Sequence, residues 1–319
     1  MAMHRTALPR SASGVRWDGL ALRVDGPSRP PLRAEVADGR RLVLLQGDEV
    51  VLLARQRVTH RGVHYARTGR YVSPVPALRA DMARRYREAC TDDDAWSARW
   101  AHHFATALRE SGNGPLHEGN WQLRPGMSPY AVDAYWETPA RHDPDRGHIA
   151  WFSGSPAHDS RDILPLRPLS APDTPRVKAC RRQYREGVLP PVVLWGISAL
   201  DTWVVLDGHD RLAAALAEDG RPPVLRLDRE GLPEWHTALA QPDLRAYEER
   251  LAHLQRQRNA GDPLAPNKIA NEGRRLAQKL ERAGSGSSPT RGWPLAGGAA
   301  AWDALARQHA PGWLPDTDV

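Results

Sequence analysis

One passage constrains the fold more than any other. The apolar run Trp203-Val204-Val205-Leu206 passes through Asp207-Gly208-His209-Asp210-Arg211 into Leu212-Ala213-Ala214-Ala215-Leu216. A β-branched apolar run reads as a buried strand, an Ala/Leu run as a helix, and the glycine between them as the turn that joins the two. The polar residues then stand at a helix N-terminus, where unpaired backbone N–H groups and the positive end of the helix dipole favour an anion. Gly208 permits a positive φ or a close approach to a ligand, and Arg211 offers a planar fork suited to phosphate or carboxylate. His209 and Asp210 have the chemistry to bind a metal, move a proton or orient the arginine. A purely structural turn uses the same residues: Asp207 or Asp210 as a helix cap, Gly208 as the turn and Arg211 paired with a surface acid.

The passage belongs to a longer order of elements over residues 162–228. Asp162-Ile163-Leu164-Pro165-Leu166-Arg167-Pro168-Leu169 leads in, and a helix follows with Arg176, Val177 and the end Tyr184-Arg185-Glu186-Gly187. Next come the strand Leu189-Pro190-Pro191-Val192-Val193-Leu194-Trp195, the turn above, and Pro222-Pro223-Val224-Leu225-Arg226-Leu227. This order resembles the ParB/sulfiredoxin superfamily, which includes partition proteins, sulfiredoxins and free-serine kinases; the kinase-like members are nearest in pattern. Their D-G-H-H-R turn holds nucleotide phosphates. Asp207, Gly208, His209 and Arg211 match it, while Asp210 replaces the second histidine. His209 stands where sulfiredoxins carry their catalytic cysteine, which argues against sulfinic-acid reduction. The partition-protein turn G-E-R-R is matched only in its Gly and final Arg. The serine kinases also place an acidic base in the lead-in, for which Asp162 and Asp173 are the nearby acids. Asp173 precedes Thr174-Pro175 at a helix start, which suits a turn or cap better than a base.

The balance of 44 Lys and Arg against 38 Asp and Glu leaves a net charge of +6, with lysine only at Lys178, Lys268 and Lys279. Arginine bias with interspersed acids and no long basic run favours a coding-composition origin over a nucleic-acid surface. Cys90 and Cys180 stand far apart and outside any C-x-x-C pattern, against a zinc knuckle or a disulfide framework. With no apolar run of membrane-spanning length and no signal-type segment, a cytoplasmic location and no membrane partner are expected.

Along the chain, residues 1–30 read as a loose arm with one short strand at Leu20 to Val24. Residues 31–111 read as a β-meander with strands around Leu32–Val36, Arg41–Leu45, Val50–Arg55 and Val63–Arg67, then two helices, Pro76 to Cys90 and one capped by Asp92-Asp93-Asp94. The second helix carries Trp96, Trp100, Phe104 and Leu108 at four-residue spacing. The acidic triplet complements the helix dipole better than it makes a metal site. The pairs His102-His103 and His60/His64 likewise read as packed or solvent-facing rather than as metal ligands.

Residues 112–147 read as a linker or a lid, and 148–230 as the resembling domain, opening on a strand at His148 to Ser155. Ser153-Gly154-Ser155 lacks the spacing and the lysine of a phosphate-binding loop. Residues 231–319 read as helical, with helices near Pro242–Arg258, Asn267–Ala283 and Ala299–Ala310 and a flexible Gly/Ser connector at 284–289. Gly261 to Pro266 does not suit a helix-turn-helix turn, which disfavours a partition role.

The expected class is α+β: a small antiparallel sheet with helices, a ParB/sulfiredoxin-like α/β module, and C-terminal helices. What the resemblance implies is a nucleoside triphosphate, ATP or CTP, with Mg²⁺, and phosphoryl transfer to an acceptor or nucleotide hydrolysis. Gly208, Asp210 and Arg211 would lie at the phosphates, with Asp207, His209, Asp162 and Asp173 as catalytic candidates. The alternatives are a catalytically silent ligand- or protein-binding scaffold, or a nucleic-acid-associated regulator.

Overall fold

The structure, a computed structural model, describes residues 1–8, 17–56, 62–127, 145–150, 163–200, 202–230, 233–285 and 290–313. It is an α+β protein with two mixed sheets and, among the described residues, seven α-helices. The chain forms two compact units, Met1–Arg229 with Pro289–Val319, and Glu230–Ser288.

In the first unit, the meander strands are β3 (Leu32–Ala37), β4 (Arg41–Gln46), β5 (Glu49–Gln56) and β6 (Gly62–Arg67), each antiparallel to the next. β8 (Arg146–Ala150) adds antiparallel to β6, and β13 (Gly292–Pro294) adds parallel to β3. Leu42-Val43-Leu44-Leu45 is continuously apolar because both faces of β4 are covered. Leu42 and Leu44 face the main core, whereas Val43 and Leu45 pack with Trp302 of the terminal helix Gly298–His309. The His64 and His148 rings pack across β6 and β8, tilted by 49° with centroids 4.5 Å apart; His60 lies outside the described residues.

The second sheet runs β1-β2-β7-β12-β10-β11-β9, formed by Ala2–Ala7, Leu20–Asp25, Gly119–Pro125, Val224–Arg229, Val192–Ile197, Thr202–Asp207 and Ile163–Pro165 in that spatial order. Two differences from the sequence reading appear here. Ala2–Ala7, within the expected loose arm, is an edge strand that pairs with β2 through its backbone, an interaction its polar side chains do not announce. Gly119–Pro125, within the expected linker or lid, lies between β2 and β12 with Trp121 and Leu123 buried. Its two-residue alternation is short and framed by Gly, Asn and Pro, which hid it. Residues 128–144 of that stretch, and Ser153-Gly154-Ser155, lie outside the described residues.

Helices α1 (Ala80–Glu88) and α2 (Asp93–Glu110) connect the two sheets in sequence. The Asp92 carboxylate caps α2 by accepting from the Ala95 N–H at 2.7 Å, and Asp94 accepts from the Trp17 N–H. Trp100, Phe104 and Leu108 of α2 lie in the main core with Val204 and Leu206 of β11, while Trp203 and Val205 face a second cluster with Ile163, Val192 and Leu212. Helices α3 (Pro175–Arg185) and α4 (His209–Leu216) pack together, and α7 is the terminal helix already described. The second unit is a hairpin of α5 (Pro233–Asn259) and α6 (Ala265–Ser285), with Arg250 and Glu272 paired between them. No helix among the described residues is long and apolar enough to cross a membrane.

Candidate functional site

β11 is buried along its length and ends at Asp207, where its pairing with β10 shifts register. Gly208 then takes φ +97°, a left-handed conformation that turns the chain directly into α4. A Cβ at this position would stand 2.7 Å from the Arg211 Nη2 and 2.8 Å from its Nε. The backbone therefore requires glycine, and any side chain here would also displace the guanidinium folded over it.

His209, Asp210 and Arg211 follow in the first turn, and all three are buried. Arg211 does not point a free fork at the cleft. Its Nη2 pairs with the Asp207 Oδ2 at 2.6 Å, and its guanidinium carbon lies 5.6 Å from the Phe104 ring centroid. The other Asp207 oxygen accepts from the Ser73 hydroxyl at 2.6 Å, and the Tyr71 hydroxyl donates to the Leu206 carbonyl. The segment after β6 is thus pinned onto the turn. Burial pushes the Tyr71 phenol well above its usual range, with the Asp207 charge adding to the shift, so it remains a donor.

Asp210 organises the opposite wall. Its carboxylate pairs with Arg176 at 2.8 Å and Arg167 at 3.4 Å, and accepts from the Ser170 hydroxyl at 2.7 Å. The His209 Nε2 accepts from the Arg167 backbone N–H at 3.4 Å. Burial holds this imidazole well below its ordinary pKa, and the charges of Arg167, Arg67 and Arg211 act in the same direction. A neutral ring with its accepting nitrogen engaged acts as a pin for the lead-in segment.

These residues floor and wall a cleft of about 500 Å³, with Tyr71, Ser73, Arg79, Arg167, Arg176 and Gly208 among its lining. Arg176 and Arg79 are exposed at its mouth, and the Arg167 side chain is half-buried. Cys180 also lines it, but burial raises its thiol pKa and leaves it a poor nucleophile. Asp207, Gly208, His209, Asp210 and Arg211 are therefore brought together. Asp173 is not: it is exposed, in the turn before α3, and outside the cleft lining. Asp162 lies outside the described residues.

Tyr71, Ser73 and Phe104 were not legible as site residues, because more than 100 positions of sequence separate each from the turn. Arg167 and Arg176 stood in the sequence only as part of an order of elements, with no signal that both would converge on Asp210. Among the described residues no group of three or more His, Cys, Asp and Glu side chains could hold a metal by itself. Asp207 and Asp210 are both committed to arginines, so a divalent ion here fits only as one carried in on a ligand's phosphates. No family model, curated protein or solved structure matches this chain.

Proposed function

We propose that the chain is a nucleotide-phosphate-binding enzyme of ParB/sulfiredoxin-like type, with the phosphates of a nucleoside triphosphate seated in the cleft above Gly208. The observation that carries the reading is the convergence of Arg167 and Arg176 on a glycine turn at the N-terminus of α4. Guanidinium forks and unpaired helix N–H groups are complementary to phosphate oxygens. In this reading Arg167 and Arg176 make the phosphate contacts. Arg211 is a positioning residue, because its Nη2 is paired with Asp207. Asp210 holds the two contacting arginines at the mouth, and His209 keeps the Arg167 segment in place. Asp207, a cleft carboxylate oriented by Ser73 and Arg211, serves as the base candidate for an acceptor hydroxyl or a water. Mg²⁺, bound through the phosphates, would offset their charge.

The test is the thermal stability of the chain with ATP, CTP, GTP or ADP and Mg²⁺. A nucleotide that binds the folded state raises its melting temperature. The shift is expected with at least one triphosphate and is lost when Arg167 and Arg176 are both replaced by alanine. An equal shift in that double variant, or none in the parent chain, defeats the reading.

A second reading, a ligand-binding scaffold without turnover, is favoured by the internal commitment of Asp207, His209 and Asp210. Nucleotide binding without phosphate release or acceptor phosphorylation selects it. A nucleic-acid role rests on composition alone and predicts retention on DNA that falls steeply with salt.

A further inference from the structure

Across the Pro76–Arg79 strip from this cleft lies a larger one of about 920 Å³, bounded by α1, α2 and Arg5 of β1. We propose that it is a second binding site, for an organic anion with an apolar body: a carboxylate or phosphate head on an aliphatic or aromatic frame. Leu78, Met82 and Tyr86 supply apolar wall, joined by Ala95 and Ala107 of α2. Arg5, Arg79 and Arg99 supply the charge.

None of those guanidiniums forms an ion pair among the described residues, although the Glu110 charge acts on Arg5. The Arg99 guanidinium carbon lies 5.3 Å from the Tyr86 ring centroid. Arg5 reaches in from β1, its Nη1 donating to the His102 carbonyl at 3.3 Å and the Thr106 hydroxyl at 2.9 Å. Its Nη2 is buried without a hydrogen-bond partner. Glu110, the carboxylate of this lining, is paired with Arg109 at 2.7 Å. The two imidazoles of the wall, His102 and His103, are neutral or cationic and cannot neutralise the guanidiniums.

A buried N–H without an acceptor costs free energy that an anionic oxygen recovers, and a charge-assisted bond recovers more. Inorganic anions would leave the Leu78–Met82–Tyr86 wall wet, whereas an apolar body covers it. The cavity also falls in the size range of small-molecule sites.

Calorimetric titration of the full chain with octanoate, phenyl phosphate, octanamide and inorganic phosphate tests this. Octanoate or phenyl phosphate is expected to bind, with the tighter of the two identifying the frame and head. Octanamide and inorganic phosphate are expected to bind at least about tenfold more weakly. Arg99 is exposed, so Arg99→Gln leaves the fold intact and is expected to weaken the anions about tenfold. Ala95→Phe, which fills the cleft, is expected to abolish binding while the thermal transition remains cooperative. No binding of either anion, equal binding of octanoate and octanamide, or affinities unchanged in both variants overturns the proposal. Arg99 does not line the first cleft, so the nucleotide shift is expected unchanged in Arg99→Gln. If that shift falls together with anion affinity, the anions occupy the first cleft, and the proposal fails.

Discussion

At the scale of single residues, the turn after β11 shows how one side chain changes role with burial. In water, Arg211 would be a mobile anion receptor. Beneath the cleft it is a buried cation held by Asp207 and Phe104, with its Nε lacking a partner. Removing only the cation leaves the mostly buried Asp207 carboxylate without its ion-pair partner, so Arg211→Met is expected to destabilise the fold by about 3 kcal/mol. Combining it with Asp207→Asn is expected to recover part of that loss, read as coupling between the two changes in urea unfolding. Purely additive losses would contradict the ion-pair assignment.

His117 makes the complementary case, a buried base with no charge partner. It packs against Trp121 and Trp293 with ring centroids 5.0 and 5.3 Å away, and neither ring nitrogen has a hydrogen-bond partner. Burial, reinforced by Arg229 and Arg291, lowers its pKa to about 4. Between pH 6.5 and 4 the unfolded chain binds this proton and the folded chain does not. Stability therefore falls as pH drops through that window, by about 3 kcal/mol in total from this residue. His117→Phe is expected to flatten the dependence of the unfolding free energy on pH in that window. An unchanged slope would assign the effect to other groups.

At the scale of elements, the period-2 alternation of a strand distributes consecutive apolar residues to two different cores. β4 and β11 both do this, which explains runs without a polar face. The consequence for β4 is that its outer face depends on α7. Trp302 is fully buried there and donates its indole N–H to the Leu42 carbonyl at 2.9 Å. Trp302→Ala is expected to cost about 3–5 kcal/mol in denaturant unfolding. A loss below about 1 kcal/mol would mean that α7 is not part of the cooperative core.

At the scale of the whole molecule, the first unit is closed by a chain segment from far along the sequence. Thr290 donates its hydroxyl to the Gly196 carbonyl and exchanges backbone-to-hydroxyl bonds with Ser198, beside the end of β10. β12 runs parallel to β10, so the chain leaves and re-enters this unit at neighbouring points. Replacing residues 230–288 by a short Gly/Ser linker is expected to leave the remainder with a single cooperative thermal transition, followed by near-ultraviolet circular dichroism. Loss of that signal would show that the unit does not fold without the hairpin.

What the sequence alone determined was local. Periodicity located the meander, the tryptophan-bearing α2, the strand-turn-helix at Asp207–Arg211 and the terminal helices, because each of these is encoded within a few turns or strand lengths. β1 and β7 escaped, since backbone pairing with distant strands stabilises them and their own composition is weak. The candidate site divides in the same way. Its floor is contiguous and was legible; its walls come from residues near 71–79, 104 and 167–176, and only tertiary structure brings them together. Whether an arginine meets a ligand or an internal acid depends on which carboxylate packing places beside it and how much water remains. Spacing in a sequence carries neither quantity, and for Arg211 packing decided in favour of Asp207.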